Sequence, residues 1–142
     1  MKKNETIESI MTREVMTVQV RDDLQAARDL IIKNKIRHVP VLQGKKLVGI
    51  ISRTDINRLS FSTLFTEEGE GEEEEVFDML TIAQVMTHKP RVVTKGVTIK
   101  EVAKILTEEE FHALPVVDEK DGTKLVGIVT TTDIIRYLLE QY

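Results

Sequence analysis

Leu47-Val48-Gly49-Ile50-Ile51-Ser52-Arg53-Thr54-Asp55-Ile56 returns, 78 residues later, as Leu125-Val126-Gly127-Ile128-Val129-Thr130-Thr131-Thr132-Asp133-Ile134. Towards the N-terminus, Val39-Pro40-Val41 returns as Leu114-Pro115-Val116, and Ile10-Met11-Thr12 as Val85-Met86-Thr87, both at a displacement of 75. The change from 75 to 78 falls around Asp121-Gly122, a turn signal. Insertions that land in a turn and spare the elements on either side mark a structural repeat. Each copy is too small to bury its own apolar face. The two are therefore expected to pack on one another about a pseudo-two-fold axis.

The same element order is legible in each copy. Thr17 to Val20 and Arg91 to Thr94 are short runs with β-branched residues, read as strands. Asp22-Asp23-Leu24-Gln25 and Thr98-Ile99-Lys100-Glu101 each fit a capping box, in which a side-chain oxygen takes a free helix amide and a Gln or Glu reaches back. Leu24, Ala27, Leu30 and Ile31, matched by Ile99, Val102, Ile105 and Leu106, form an apolar stripe at helical spacing. Pro40 and Pro115 forbid further helix and open a strand. A turn (Gln43-Gly44-Lys45-Lys46; Asp118 to Thr123) leads to a second strand ending at Ile51 or Val129, and a helix begins near Asp55 or Asp133. The fold class is α+β: tandem β-α-β-β-α repeats. The expected division is a first repeat with the N-terminal segment (1–62), an acidic inter-repeat linker (63–82) and a second repeat (83–142).

Composition narrows the function. The 142 residues carry 20 Lys and Arg against 24 Asp and Glu, a net charge of −4, and no Cys. Thiolate zinc sites, iron–sulfur clusters and cysteine nucleophiles are excluded. Seven glutamates lie between Glu67 and Glu75, so the remainder has a net charge of −4 + 7 = +3. Such a tract cannot bury apolar surface and reads as a solvated loop. The start of the chain is polar rather than apolar, and the longest apolar runs are far too short to cross a bilayer. A cytoplasmic protein with no membrane partner is expected. A negative net charge, few aromatic residues and no Trp argue against a nucleic-acid partner. His38, His88 and His112 are far apart and lack metal-ligand spacing, so no metal site is expected.

The chemistry concentrates where a strand turns into a helix, at Gly49 to Asp55 and Gly127 to Asp133. Free amides and the positive end of the helix dipole favour an anion there, and the hydroxyls of Ser52 and Thr54, or of Thr130, Thr131 and Thr132, can add hydrogen bonds to phosphate. A carboxylate in the first turn offers two acceptor oxygens to a ribose diol. For a single such segment ordinary helix capping is the favoured explanation, since Ser, Thr and Asp are what a helix start prefers. Two at equivalent positions, each preceded by Gly, favour a ligand site. Arg37, His38 and Arg53 lie close to the Asp55 segment, whereas His112 and hydroxyls accompany Asp133, so a polyphosphate should choose the first.

Three segments occurring in order in both halves carry a resemblance to the CBS-domain pair, or Bateman module. They are Met-Thr, a helix running into hydrophobic-Pro-Val, and Leu-Val-Gly followed by two apolar residues, Ser or Thr, and x-Thr-Asp-Ile. The resemblance covers about Ser9 to Leu139. It implies a regulatory, non-catalytic module that binds AMP, ADP, ATP or a related adenosyl ligand in clefts between the repeats, forms a homodimer and acts on a protein target that the residues do not identify; no obligatory cofactor is implied. Carried over by motif, Asp55 and Ser52 hold ribose and phosphate in the first cleft, and Asp133 and Thr130 do so in the second. Arg37 and His38, or His112 and Ala113, face the phosphates. The base is gripped by Thr87, Arg91 and Val92 in the first cleft and by Thr12, Met16 and Thr17 in the second. The alternative is a structural or dimerisation module with vestigial clefts. For the dimer, the sequence adds an excess of large apolar residues on the closing helices: Ile134, Ile135, Tyr137, Leu138 and Leu139, matched by Ile56, Leu59, Phe61 and Leu64.

Overall fold

The structure, a computed structural model, describes residues 4–64 and 77–142, with the side chains of 60–64 left out. The acidic tract and the side chains of Phe61 and Leu64 lie outside the described residues. The chain forms two compact units that do not coincide with the order of the repeats: Met16–Lys89, and Met1–Val15 together with Pro90–Tyr142.

The first unit contains β1 (Val18–Gln19), α1 (Leu24–Asn34), β2 (His38–Gln43), β3 (Lys46–Ser52), α2 (Arg53–Leu64), α3 (Ile82–Val85) and β4 (Thr87–His88). Its sheet has the order β1-β2-β3-β4, with β1 parallel to β2 and the other pairs antiparallel. The second unit contains a 3₁₀ turn (Ile7–Ser9), β5 (Val93–Thr94), α4 (Ile99–Glu108), β6 (Ala113–Val117), β7 (Leu125–Thr130) and α5 (Thr131–Glu140). Its sheet runs β5-β6-β7, with β5 parallel to β6 and β6 antiparallel to β7. The β-α-β-β-α order is present twice, and the registers repeat: Val18 faces Val41 as Val93 faces Val116. The irregularity between Val41 and Leu42 recurs between Val116 and Val117.

Each unit is closed by a strap that precedes the other repeat in sequence. In the second unit, Thr12 and Ile128 exchange amide-to-carbonyl hydrogen bonds of 2.9 Å, the Ile7 amide donates to the Val97 carbonyl, and Ile7 and Met11 enter the core. In the first unit β4 plays the part of Thr12, pairing Thr87 with Ile50, and Ile82 and Met86 enter the core. The two cores are built from equivalent positions: Val18, Leu24, Val39, Val41, Ile51 and Ile56 in one, Val93, Ile99, Leu114, Val116, Val129 and Ile134 in the other. Phe77 is an addition to the first core, 1% exposed, with the Arg28 guanidinium 5.0 Å from its ring centre.

Local signals account for the boundaries, with two corrections. Asp23, not Asp22, is the N-cap of α1, and its side chain makes no cap bond; the Asp22 carboxylate accepts the Gln19 amide instead, at 2.9 Å. Thr98 does cap α4, accepting the Glu101 amide at 3.1 Å. The strands β2 and β6 begin two residues before Pro40 and Pro115, because a proline forces the residue ahead of it into extended backbone. The β2–β3 turn is held by Gln19, which donates to the Gly44 carbonyl and accepts the Gly44 amide, with Gly44 at φ +62°. The longer β6–β7 turn absorbs the extra residues, as expected. There burial pushes the Asp118 carboxyl up, but the amides of Lys120 and Asp121, with Lys95 beside it, outweigh this and leave it below its ordinary value.

Candidate functional site

The strand-to-helix corner of each unit is a reciprocal capping box. In the first, the Asp55 amide donates to Ser52 Oγ at 3.1 Å while Asp55 Oδ2 accepts the Ser52 amide at 2.9 Å. In the second, Asp133 and Thr130 make the same two bonds, 3.1 and 2.9 Å. One oxygen of each carboxylate is thus occupied by its own backbone. The other faces an arginine one helical turn on: Asp55 Oδ1 lies 3.9 Å from Arg58, and Asp133 Oδ1 3.6 Å from Arg136. The carboxylate side chains are 19% and 11% exposed, so neither is sealed from solvent. Capping and ligand binding are therefore not exclusive: the cap orients the carboxylate, and the Ser52 and Thr130 hydroxyls, already accepting, keep a proton to donate.

The strand before each corner supplies its neighbours. The Arg53 amide donates to the Arg37 carbonyl at 2.7 Å, and His38 pairs with Ser52 across β2 and β3. The Thr131 amide donates to the His112 carbonyl at 2.9 Å, and Ala113 pairs with Thr130. Strap residues close each corner from the side. A Cβ on Gly49 would collide with the Met86 sulfur and lie 3.0 Å from the Thr87 carbonyl oxygen; one on Gly127 would lie 2.7 Å from Met11 Sδ and 2.8 Å from the Thr12 carbonyl oxygen. The glycine ahead of each motif is required by the strap that lies on it.

Arg37, His38, Ser52, Arg53, Thr54, Asp55 and Thr87 thus share the first unit, and Thr12, His112, Ala113, Thr130, Thr131, Thr132 and Asp133 share the second. Met16 and Thr17 belong to the first unit, and Arg91 and Val92 to the second, where Arg91 pairs with Glu109 at 3.6 Å. Arg58 and Arg136 were not among the expected residues, although Asp-x-x-Arg recurs at the same place in both repeats. Among the described residues no group of three His, Asp or Glu could hold a metal ion, and no helix is long and apolar enough to cross a membrane.

Known proteins carry the same architecture. The family model for the CBS domain matches residues 7–62 and 82–140. An inosine-5'-monophosphate dehydrogenase from Korarchaeum cryptofilum is 34% identical over 127 residues, which cover 89% of this chain and 23% of that enzyme. The chain spans between about a quarter and a half of the length of the first curated relatives it matches. CBSX2 from Arabidopsis thaliana, solved in complex with AMP, superposes with a TM-score of 0.78 at 27% identity, covering 96% of this chain and 98% of that one. The CBS domain pair of protein MJ0100, solved in complex with 5'-methylthioadenosine and S-adenosyl-L-methionine, gives 0.76 at 26% identity, with the same coverage of 96% and 98%.

Proposed function

The chain belongs to the CBS-domain family, and from that premise we propose that it is a non-catalytic regulatory module: an adenine nucleotide or related adenosyl compound binds at the Asp55 and Asp133 corners, and a partner protein reads the occupancy. The observation that carries this reading is the pair of identical boxes, each presenting one oriented carboxylate oxygen and one hydroxyl proton at the positive end of a helix. The ribose is held by Asp55 or Asp133. The 5' substituent is met by Ser52, Arg37, His38 and Arg53 in the first unit, and by Thr130 and His112 in the second. The complexes of CBSX2 with AMP and of MJ0100 with two adenosyl compounds support the ligand class. A ligand can shift a regulatory protein only through unequal affinity for two of its states, so occupancy must change the packing the partner sees.

Thermal melting with a panel of adenosine, AMP, ADP, ATP, 5'-methylthioadenosine and S-adenosylmethionine tests the proposal. Ligand at a hundredfold its Kd adds about 2.7 kcal/mol to native stability, on the order of 8 °C for a chain of this length. Asp55→Asn with Asp133→Asn should abolish the response. A wild type that none of these compounds stabilises has structural corners only, as the self-contained capping boxes would then suffice to explain.

A further inference from the structure

We infer that the two corners select ligands of opposite charge: the Asp55 corner takes an adenosine phosphorylated at its 5' position, and the Asp133 corner takes an adenosyl compound whose 5' substituent is neutral or cationic. This rests on the reading that both corners bind adenosyl compounds and adds to it which kind each one takes.

The two corners share their capping box and the backbone bond behind it, and differ in the charges that flank them. Helix α1 ends with Lys33 in its last turn and Lys35 as its C-cap, at φ +53°, and the chain then passes Arg37, whose carbonyl holds the Arg53 amide. Lys33, Lys35, Arg37 and Arg53 are all exposed and belong to the unit that carries Ser52 and Asp55. At the equivalent positions of the second repeat stand Glu108, Glu110, His112 and Thr131, with Glu109 in place of Asn34. The Thr131 amide holds the His112 carbonyl as the Arg53 amide holds that of Arg37, so this bond is kept while the flanking charges change; the helix ends before it differ, α1 closing on Lys35 in left-handed backbone and α4 on Glu109 in extended backbone. Glu108, Glu109 and Glu110 are exposed, and Arg91 pairs with Glu109. Counting these side chains, the first corner has four positive charges and the second 1 − 3 = −2.

The groups common to both corners cannot discriminate. Each Asp faces an arginine three residues on, and each hydroxyl makes the same cap bond. Selectivity therefore falls to the flanking charges. They act over roughly a Debye length, about 8 Å at physiological salt. A phosphate dianion is drawn to the first corner and repelled from the second, while a sulfonium is treated in the opposite sense. Two corners with one kind of capping box and unlike charge let a single chain report two adenosyl species.

Isothermal titration with AMP and with S-adenosylmethionine tests this, using full-length Asp133→Asn to silence the second corner and Asp55→Asn to silence the first. Asp133→Asn should bind AMP about tenfold tighter than S-adenosylmethionine, a gap that narrows as salt is raised. Asp55→Asn should show the reverse order. Adding Glu108→Gln and Glu110→Gln to Asp55→Asn, which leaves the Arg91–Glu109 pair intact, should recover AMP binding several-fold. Should either Asn variant fail to fold, Lys33→Glu with Lys35→Glu in the otherwise wild-type chain should weaken AMP and leave S-adenosylmethionine unchanged. The same ligand order at both corners, or indifference to these charge changes, overturns the selectivity while the sensing function stands. A wild type that binds neither compound overturns both.

Discussion

At Asp55 and Asp133 one side chain carries a structural oxygen and the oxygen proposed to meet the ligand, and substitution can separate them. Asn keeps an acceptor for the Ser52 or Thr130 amide and loses the charge; Ala loses both. Asp133→Ala should therefore cost about 1 kcal/mol through the lost cap, on the order of 3 °C in melting temperature, while Asp133→Asn should stay close to wild type by circular dichroism. Equal falls would mean that the charge, and not the cap, stabilises the corner. Both corners were legible in the sequence because a capping box closes within four consecutive residues. The contact between Tyr137 and Glu5 was not, since it joins residues 132 positions apart: the Tyr137 hydroxyl donates to Glu5 Oε2 at 2.8 Å. That bond, then burial, then the Glu5 charge, push the Tyr137 hydroxyl above its ordinary 10.0. The native state thus holds this proton more tightly than the unfolded chain does. Its contribution to stability is fully present below pH 10 and is lost as pH rises through the raised value. Urea unfolding across that alkaline range should show a decline that Tyr137→Phe flattens. An unchanged slope in the variant would remove Tyr137 from the account.

The straps are the elements that reading by periodicity overlooked. Two-residue strands such as β4, or the lone bridge at Thr12, are too short to display alternation, and the repeat signal at Ile10-Met11-Thr12 said that the segment matters without saying which unit it serves. One further signal was local and readable: Thr81-Ile82-Ala83-Gln84 is a complete capping box, with both reciprocal bonds made at the start of α3. The consequence is counterintuitive in sequence terms. Removing residues 1–15 takes Ile7 and Met11 from the core of the second unit, not from the repeat that follows directly. Hydrogen exchange on the truncated chain should show lost protection in α4 and β7, with α1 and β3 nearly unchanged. Ile7→Ala alone should cost about 2–5 kcal/mol and repeat the pattern in milder form. Loss of protection concentrated in α1 would contradict the division into units.

At the scale of the molecule, the α+β architecture followed from the internal repeat, which states the element order twice and so checks itself. What the repeat leaves open is the fate of the apolar residues in excess of one core. The closing helix α5 divides them: Ile134 and Tyr137 face inward at 7% and 6% exposure, while Ile135, Leu138 and Leu139 stay outside at 52%, 40% and 69%. Positions 135, 138 and 139 recur at spacings of three and four, so they line one side of the helix. Exposed large residues arranged in a stripe are the usual mark of an association surface, and an isologous face of this kind closes in a pair. The proposed homodimer should therefore scatter light at twice the chain mass of 16.2 kDa at micromolar concentration. Ile135→Glu with Leu139→Glu should return the single-chain mass. Because both positions are more than half exposed, the change should leave the circular dichroism spectrum intact, and any stability that falls with dilution in the wild type should become independent of concentration in the variant. A wild type that scatters at the single-chain mass would leave the outer stripe of α5 without a homodimer to explain it.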